Sequence, residues 1–331
     1  MATLVRIENP NIGALGEAEF QAPNGRVKGF CPRVVSDPND YLDYLNGQVL
    51  PLAESSNASR IIDRAVIANG IDFTSDLSPL GLSIEAAVPL GGRWKNYTWI
   101  MVGGNKPGRI LSEGTSNAIK ELVKQAQRLP YEPVKSLPDG YVLDCIKGRE
   151  LGEEDLRSLI EIFGAAFSAY LTPMTDPNFL VKWVKDESTM PFVIRNENGL
   201  IVAVANADLA EMNFDNTPQS FRFVEIGDSA THPDSRGGGF NRVIKAKIIS
   251  TMKELGYDSV HTESRASWGA PNFANAKNGM EYYGTLWSNC MIKGPEDIPE
   301  SDDSQLASWA RDYGSLNVWA MTPANQHWNK F

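Results

Sequence analysis

Arg236-Gly237-Gly238-Gly239 is the stretch of this 331-residue chain with the clearest chemical meaning. It lies within His232 to Asn241, HPDSRGGGFN, between a segment that reads as a strand and one that reads as a helix from Phe240. Successive glycines let the backbone turn tightly and let a ligand come close, because no Cβ stands in the way. Their N–H groups, with those of the first helical turn, have no partner inside the helix. Backed by the helix dipole, such a nest suits a pyrophosphate, each charge-assisted bond contributing roughly 1.5–3 kcal/mol. The plain alternative is a flexible loop with a surface arginine. Two other phosphate loops do not fit: the chain has no GxxxxGKS or GxxxxGKT, and GxGxxG fails from Gly237 and from Gly238.

Composition narrows the partners. At 42% hydrophobic and 22% charged, the chain has ordinary globular proportions. A net charge of −10 disfavours nucleic acid without excluding it, and disfavours anionic membrane. There is no apolar run of about 18 residues, so no transmembrane helix is expected. MATLVRIENPNIG lacks a basic region leading into an apolar one, so no signal peptide is expected. Three scattered cysteines, Cys31, Cys145 and Cys290, fit a reducing cytoplasm. Neither they nor His232, His261 and His327 show metal-ligand spacing, so no metal is expected.

The elements that position the loop follow from periodicity. The first 50 residues read as loops and short strands, and Ser55 to Asn69 as a helix stopped by Gly70. Leu82 to Val88 and Tyr97 to Val102 read as a hairpin turned at Gly91 and Gly92. Asn117 to Arg128 reads as a helix. The three prolines of Leu129 to Gly140 mark a boundary between an N-terminal α/β unit, residues 1–138, and a second unit, residues 139–331. Beyond it come a strand (Tyr141 to Ile146), helices (Glu153 to Tyr170, Asn178 to Lys185), and a hairpin (Phe192 to Arg195, Leu200 to Leu209). There follow a strand (Phe221 to Ala230), a helix (Phe240 to Leu255), a strand (Ser259 to Ser264) and a helix (Ala270 to Asn278). Strands Tyr282 to Met291 and Ser315 to Met321 close the chain, with an acidic loop, Gly294 to Gln305, between them.

HPDSRGGGFN resembles the coenzyme A loop of the GNAT superfamily, whose pattern is Arg or Gln, two residues, Gly, one residue, then Gly or Ala. Arg236 and Gly239 match, and Asn241 stands at the last position, still offering its backbone N–H. The element order from Tyr141 is similar to the GNAT order as well. The resemblance implies a mixed, mostly antiparallel sheet flanked by helices, with the N-terminal unit a degenerate GNAT-like half. It also implies acetyl-CoA as co-substrate, bound by Ala230, Thr231, Arg236, Gly237, Gly238, Gly239, Phe240, Asn241 and, at the next strand-helix junction, Asn272.

More specifically the chain resembles the β-lysine N-acetyltransferases. The similarity lies in YLTPMTDPNFL (Tyr170 to Leu180), VEIGDSATHPDSRGGG, GMEYYGTL (Gly279 to Leu286) followed by Asn289, LNVW (Leu316 to Trp319) and IEAAVP (Ile84 to Pro89). It implies transfer of acetyl to a primary amine of a small molecule, a diamino acid such as β-lysine, with Tyr170, Asp176, Arg265 and Ser267 toward the acceptor. An ammonium must lose a proton before it attacks a thioester, so a carboxylate or an ordered water is needed. Glu225 and Asp228 are the candidates; three apart on a regular strand, they point to opposite faces. Many GNAT enzymes protonate the leaving thiolate with a tyrosine, but Asn275 stands at that place. Tyr282 and Tyr283 are the substitutes nearby, and solvent is the other proton source. Two further readings stay open: an amine on a nucleobase or other macromolecule as acceptor, or a non-catalytic acyl-CoA-binding regulator. Assembly as a homodimer is open as well.

Overall fold

In a computed structural model, residues 18–168, 170–292 and 313–331 are described. The N-terminal part runs β1 (Ala18–Gln21), β2 (Arg26–Val35), α1 (Pro38–Tyr44), α2 (Leu50–Ser55), β3 (Arg60–Ala68), α3 (Thr74–Leu77), β4 (Ser83–Pro89), β5 (Tyr97–Asn105) and α4 (Glu113–Gln127). The rest runs β6 (Val142–Cys145), α5 (Glu153–Ala166), α6 (Pro177–Lys185), β7 (Thr189–Arg195), β8 (Ile201–Asn213), β9 (Ser220–Thr231), α7 (Phe240–Glu254), β10 (Ser259–Arg265), α8 (Gly269–Lys277), β11 (Glu281–Met291) and β12 (Tyr313–Met321). The described strands join one mixed, mostly antiparallel sheet, ordered β1-β2-β3-β5-β4-β11-β12-β10-β9-β8-β7-β6. From β6 onward the element order is the expected one. The acidic loop Gly294 to Gln305 lies outside the described residues.

Three expectations need correction. Ser55 to Asn69 is not a helix: its second half is β3, paired in parallel with β2 and antiparallel with β5. Burial of both faces removes the alternation that marks a half-exposed strand. The first 50 residues hold more than loops and short strands, because β2 is a ten-residue buried strand. The helix from Glu153 ends at Ala166, and Phe167 is already extended at φ −130° and ψ 120°. That early stop frees Tyr170 to turn inward.

A strand seam, a shared core and buried polar pairs such as Arg64–Glu263 and Arg60–Asn289 join the halves of the sheet. The β4–β11 seam is a single rung, Gly284 opposite Ala86. A Cβ at Gly284 would lie 1.9 Å from the Glu85 carbonyl oxygen, so only glycine lets the strands approach. The halves also share a core in which Phe30 of β2 stacks on Phe223 of β9 at 5.7 Å, and Trp99 of β5 meets Phe221 and Phe223. Burying an aromatic side chain contributes about 1.5–3 kcal/mol, so this seam is held chiefly by its rings.

The feature that makes room for a ligand is a fork. Strands β9 and β10 are parallel neighbours only at Ser259↔Phe223, Val260↔Val224 and His261↔Glu225. Beyond Glu225 they diverge, since β10 goes on pairing with β12 while β9 follows β8. Helices α7 and α8 pack beside this fork, behind a core containing Ile244, Ile248, Ile249 and Ala276.

Candidate active site

The glycine loop lies at the end of β9, where a short turn, Pro233–Ser235, leads through Arg236 into α7. Gly237 and Gly239 adopt φ of +87° and +74°, values that cost a residue with a Cβ strain. A Cβ at either would project into open space. Gly239 caps α7 without any side-chain hydrogen bond, leaving the first-turn N–H groups to an outside acceptor. The loop opens on a cleft of about 590 Å³ lined by Ala230, Thr231, Arg236, Gly237, Gly239, Phe240 and Asn241, and walled on the far side by Trp268, Pro271 and Phe273. The side-chain oxygen of Asn241 is buried there without a partner among the described residues. Room, unpaired donors and a basic rim fit an extended anion such as the pyrophosphate arm of coenzyme A. Asn272 does not belong to this cleft. It is fully buried, donates to the carbonyls of Arg265 and Trp268, and accepts from Asn317 and Trp319, so it braces the junction instead of meeting a ligand.

A second pocket, about 90 Å³, continues into the fork. Ser229, Trp268 and Pro271 line both spaces, so the two meet there. Glu225 and Asp228 both line the inner pocket, contrary to the opposite faces expected of a regular strand. The reason is a bulge: Asn206 faces Gly227 and Val204 faces Ala230, so Asp228 and Ser229 together oppose Ala205 alone. Asp228 takes the left-handed conformation at φ +46°, one that Asp tolerates better than most residues. The bulge turns its carboxylate inward, beside the meeting point of the two spaces.

Tyr170 donates its hydroxyl to Asp228 at 2.7 Å and stacks on Phe167 at 4.2 Å. Burial, then the charge of Asp228, pushes the Tyr170 phenol well above its usual range, so it stays a donor. Burial alone would raise Glu225, but His261, Lys28 and Arg64 outweigh it and hold its carboxylate low. The Arg265 guanidinium lies 4.1 Å from the Trp268 ring centre and 5.3 Å from that of Phe167, at the mouth of the pocket.

Several expected site residues stand elsewhere. Tyr282 is not at the pocket: it lines a separate depression with Tyr131 and His327, and its hydroxyl pairs with Thr285 at 2.7 Å. Tyr283 is likewise turned away, donating to Glu281. Asp176 caps α6 by accepting the Asn178 N–H at 2.8 Å, a structural task. Ser267 is buried and lines neither space.

Residues the sequence did not single out complete the pocket. Arg26 and Lys28 enter it from β2, so the N-terminal part contributes directly. Arg26 is fixed by Gln21 and the Asn289 carbonyl. Lys28 is 2% exposed, and burial, then Arg64 and Arg26, lowers it to about 7. Lys245 of α7 also lines the pocket, bonded to Asn275 at 2.6 Å. Alternation along β2 was the available signal for Lys28; nothing distinguished Lys245 from an ordinary helix lysine. Glu225, His261 and Glu263 form the one trio of ligand-type side chains among the described residues close enough to grip a metal ion, within 4.8 Å. Their carboxylates already face cations: Arg64 pairs with Glu263 at 2.6 Å, and Lys28 and Arg64 act on Glu225.

Comparison with known proteins gives the following. No protein-family model matches the chain. It is 28% identical over 142 residues to the β-lysine N(6)-acetyltransferase of Methanococcus maripaludis, covering 43% of this chain and 48% of that protein. It is 29% identical over 147 residues to the N-acetyltransferase YodP of Bacillus subtilis, covering 44% and 49%. The match thus spans about half the length of these curated relatives, both of them N-acetyltransferases by name. Among solved structures, the spermidine N-acetyltransferase of Vibrio cholerae in complex with CoA and spermine aligns at 15% identity and a TM-score of 0.39, covering 57% of this chain and 98% of that one. The ribosomal-protein-S5-alanine acetyltransferase of Vibrio fischeri aligns at 15% and 0.41, covering 59% and 98%.

Proposed function

We propose that this protein is an acetyl-CoA-dependent N-acetyltransferase acting on a primary amine of a small molecule, a diamino acid such as β-lysine. One observation carries the reading: an anion-binding cleft at the glycine loop runs into a carboxylate-lined pocket at Ser229, Trp268 and Pro271. The names of the curated relatives support it. Residues 139–331 supply the loop and both carboxylates, and the N-terminal part supplies Arg26 and Lys28.

In this reading Arg236 and the N–H groups of Gly237, Gly238, Gly239, Phe240 and Asn241 hold the diphosphate. Acetyl-CoA, when bound, supplies an activated acetyl thioester. Asp228 takes the proton from the acceptor ammonium, because it stands beside the meeting point of the two spaces. Glu225, held ionised by its cationic neighbours, anchors the positive end of the acceptor. Tyr170 keeps the Asp228 carboxylate aimed. Arg26, Lys28 and Arg265 form the cationic part of the wall, suited to an acceptor carboxylate.

The test is thiol release from acetyl-CoA across β-lysine, α-lysine, spermidine and oligonucleotides, with mass analysis of the products. Acetylated β-lysine is the expected product. Tight acetyl-CoA binding without turnover on any amine would overturn the enzymatic reading in favour of a regulator.

A further inference from the structure

Among the described residues, no carboxylate forms an ion pair with the buried amine of Lys245. It is 1% exposed on the inner side of α7, and its hydrogen-bond partner is the neutral side-chain oxygen of Asn275 on α8 at 2.6 Å. Asn275 in turn donates to the Ser264 hydroxyl on β10 at 2.9 Å, so a chain of three polar side chains spans α7, α8 and β10. Lys245 and Ser264 both line the pocket in the fork, with Ser229, Trp268 and Pro271 from the meeting point. Burying an amine against a neutral partner disfavours its charged form, so such a group exchanges its proton readily.

The geometry points to Lys245 as the proton donor to the leaving sulfur: held by Asn275 in the fork between β9 and β10, its Nζ serves the thiolate released as acetyl passes to the amine. The inference rests on the proposed transfer reaction and adds to it the acid that Tyr282 and Tyr283 do not provide. The step balances. The amine nitrogen bonds to the acetyl carbon, and the carbon–sulfur bond breaks with its electron pair going to sulfur. A proton moves from Lys245 Nζ to that sulfur. The acceptor ammonium loses two protons: one goes to Asp228 before attack, and the second leaves to water as the amide forms. Lys245 recovers its proton from water between turnovers. Burial is the one cause acting on Lys245, lowering it from 10.5 to about 7, close to neutrality and thus suited to giving a proton up and taking it back.

The experiment combines kinetics and direct titration. Lys245→Met and Lys245→Arg are compared with the wild type for CoA affinity by calorimetry and for kcat as a function of pH. Both variants should bind CoA as the wild type does while kcat falls by about 10²–10³-fold. The alkaline limb of the wild-type kcat profile should vanish in Lys245→Met. Lys245→Arg keeps charge and length, so it carries the test if the methionine variant fails to fold. In 15N-lysine-labelled wild type, the Lys245 Nζ resonance should titrate near neutrality and shift when CoA is added. A kcat within threefold of the wild type with the alkaline limb intact would overturn the assignment, as would an Nζ signal indifferent to CoA. An Nζ signal that responds to CoA in a protein that acetylates no amine would place the thiol against Lys245 and overturn the transfer reading instead.

Discussion

The Tyr170 hydroxyl donates to the Asp228 carboxylate at 2.7 Å across 58 residues of chain. One partner follows the early end of α5 and the other stands on the bulge of β9, so two irregularities meet in one hydrogen bond. Asp228→Asn should keep this shape but accept no proton from the acceptor. Its kcat/KM should fall by about 10²–10⁴-fold with CoA affinity unchanged. Tyr170→Phe should cost about 10–100-fold, the worth of a hydrogen bond to a charged group. Steady-state kinetics and calorimetry on both variants check this, and a larger loss in Glu225→Gln than in Asp228→Asn would exchange the two carboxylate roles.

Gly239 at φ +74° cannot be replaced by a β-branched residue without strain, and it lines the cleft. Gly239→Val should weaken CoA binding by at least about 100-fold, on the order of the loss of one or two charge-assisted bonds. Calorimetry with CoA measures it, and wild-type affinity in the variant would move the diphosphate site elsewhere.

Lys28 reaches the pocket in the fork from β2, far from the glycine loop in sequence. The wild type should favour a diamino acid over the diamine of the same length by about 10–100-fold in kcat/KM, the worth of one charge-assisted bond. Lys28→Met should erase that preference and leave diamine acetylation unchanged. Competition between the two acceptors, read by mass analysis, decides it.

The buried lysines also make stability depend on pH. Lys245 titrates near 7 when folded, against 10.5 as its ordinary value. Between those values the unfolded chain binds the extra proton, so raising the pH stabilises the fold, by about 1.4 kcal/mol per pH unit per proton. Below about pH 7 both states are protonated and the full cost of burial is present. Lys245→Met should therefore raise Tm at neutral pH and flatten its rise from pH 7 to pH 9, which thermal denaturation at several pH values measures.

Much of the second half was legible because its strands are apolar runs bounded by turn signals, as at Asn196 to Gly199, and its helices carry one apolar face, as in α5 and α7. The glycine loop was legible because the backbone itself demands glycine there. β3 was not, since Arg60, Asp63 and Arg64 mimic the polar side of a helix. Each is buried and answered: Arg60 by Glu85 and Asn289, Asp63 by Tyr41 and Tyr44, Arg64 by Glu263. Those partners lie 19 to 229 residues away, beyond any local pattern. The shared orientation of Glu225 and Asp228 was hidden too, because a bulge is set by pairing between strands and not by residue type.

The single rung at Gly284 and Ala86 bears on how the molecule assembles itself. The guanidinium of Arg26 waits for the carbonyl of Asn289, 263 residues further along, and β4 waits for β11. On a ribosome the early strands emerge with an open edge long before the strand that covers it. Such distant pairings fold slowly, and an uncovered edge invites pairing with another chain. The pocket in the fork is thus among the last parts of the molecule to exist, complete only when the final strands close the sheet.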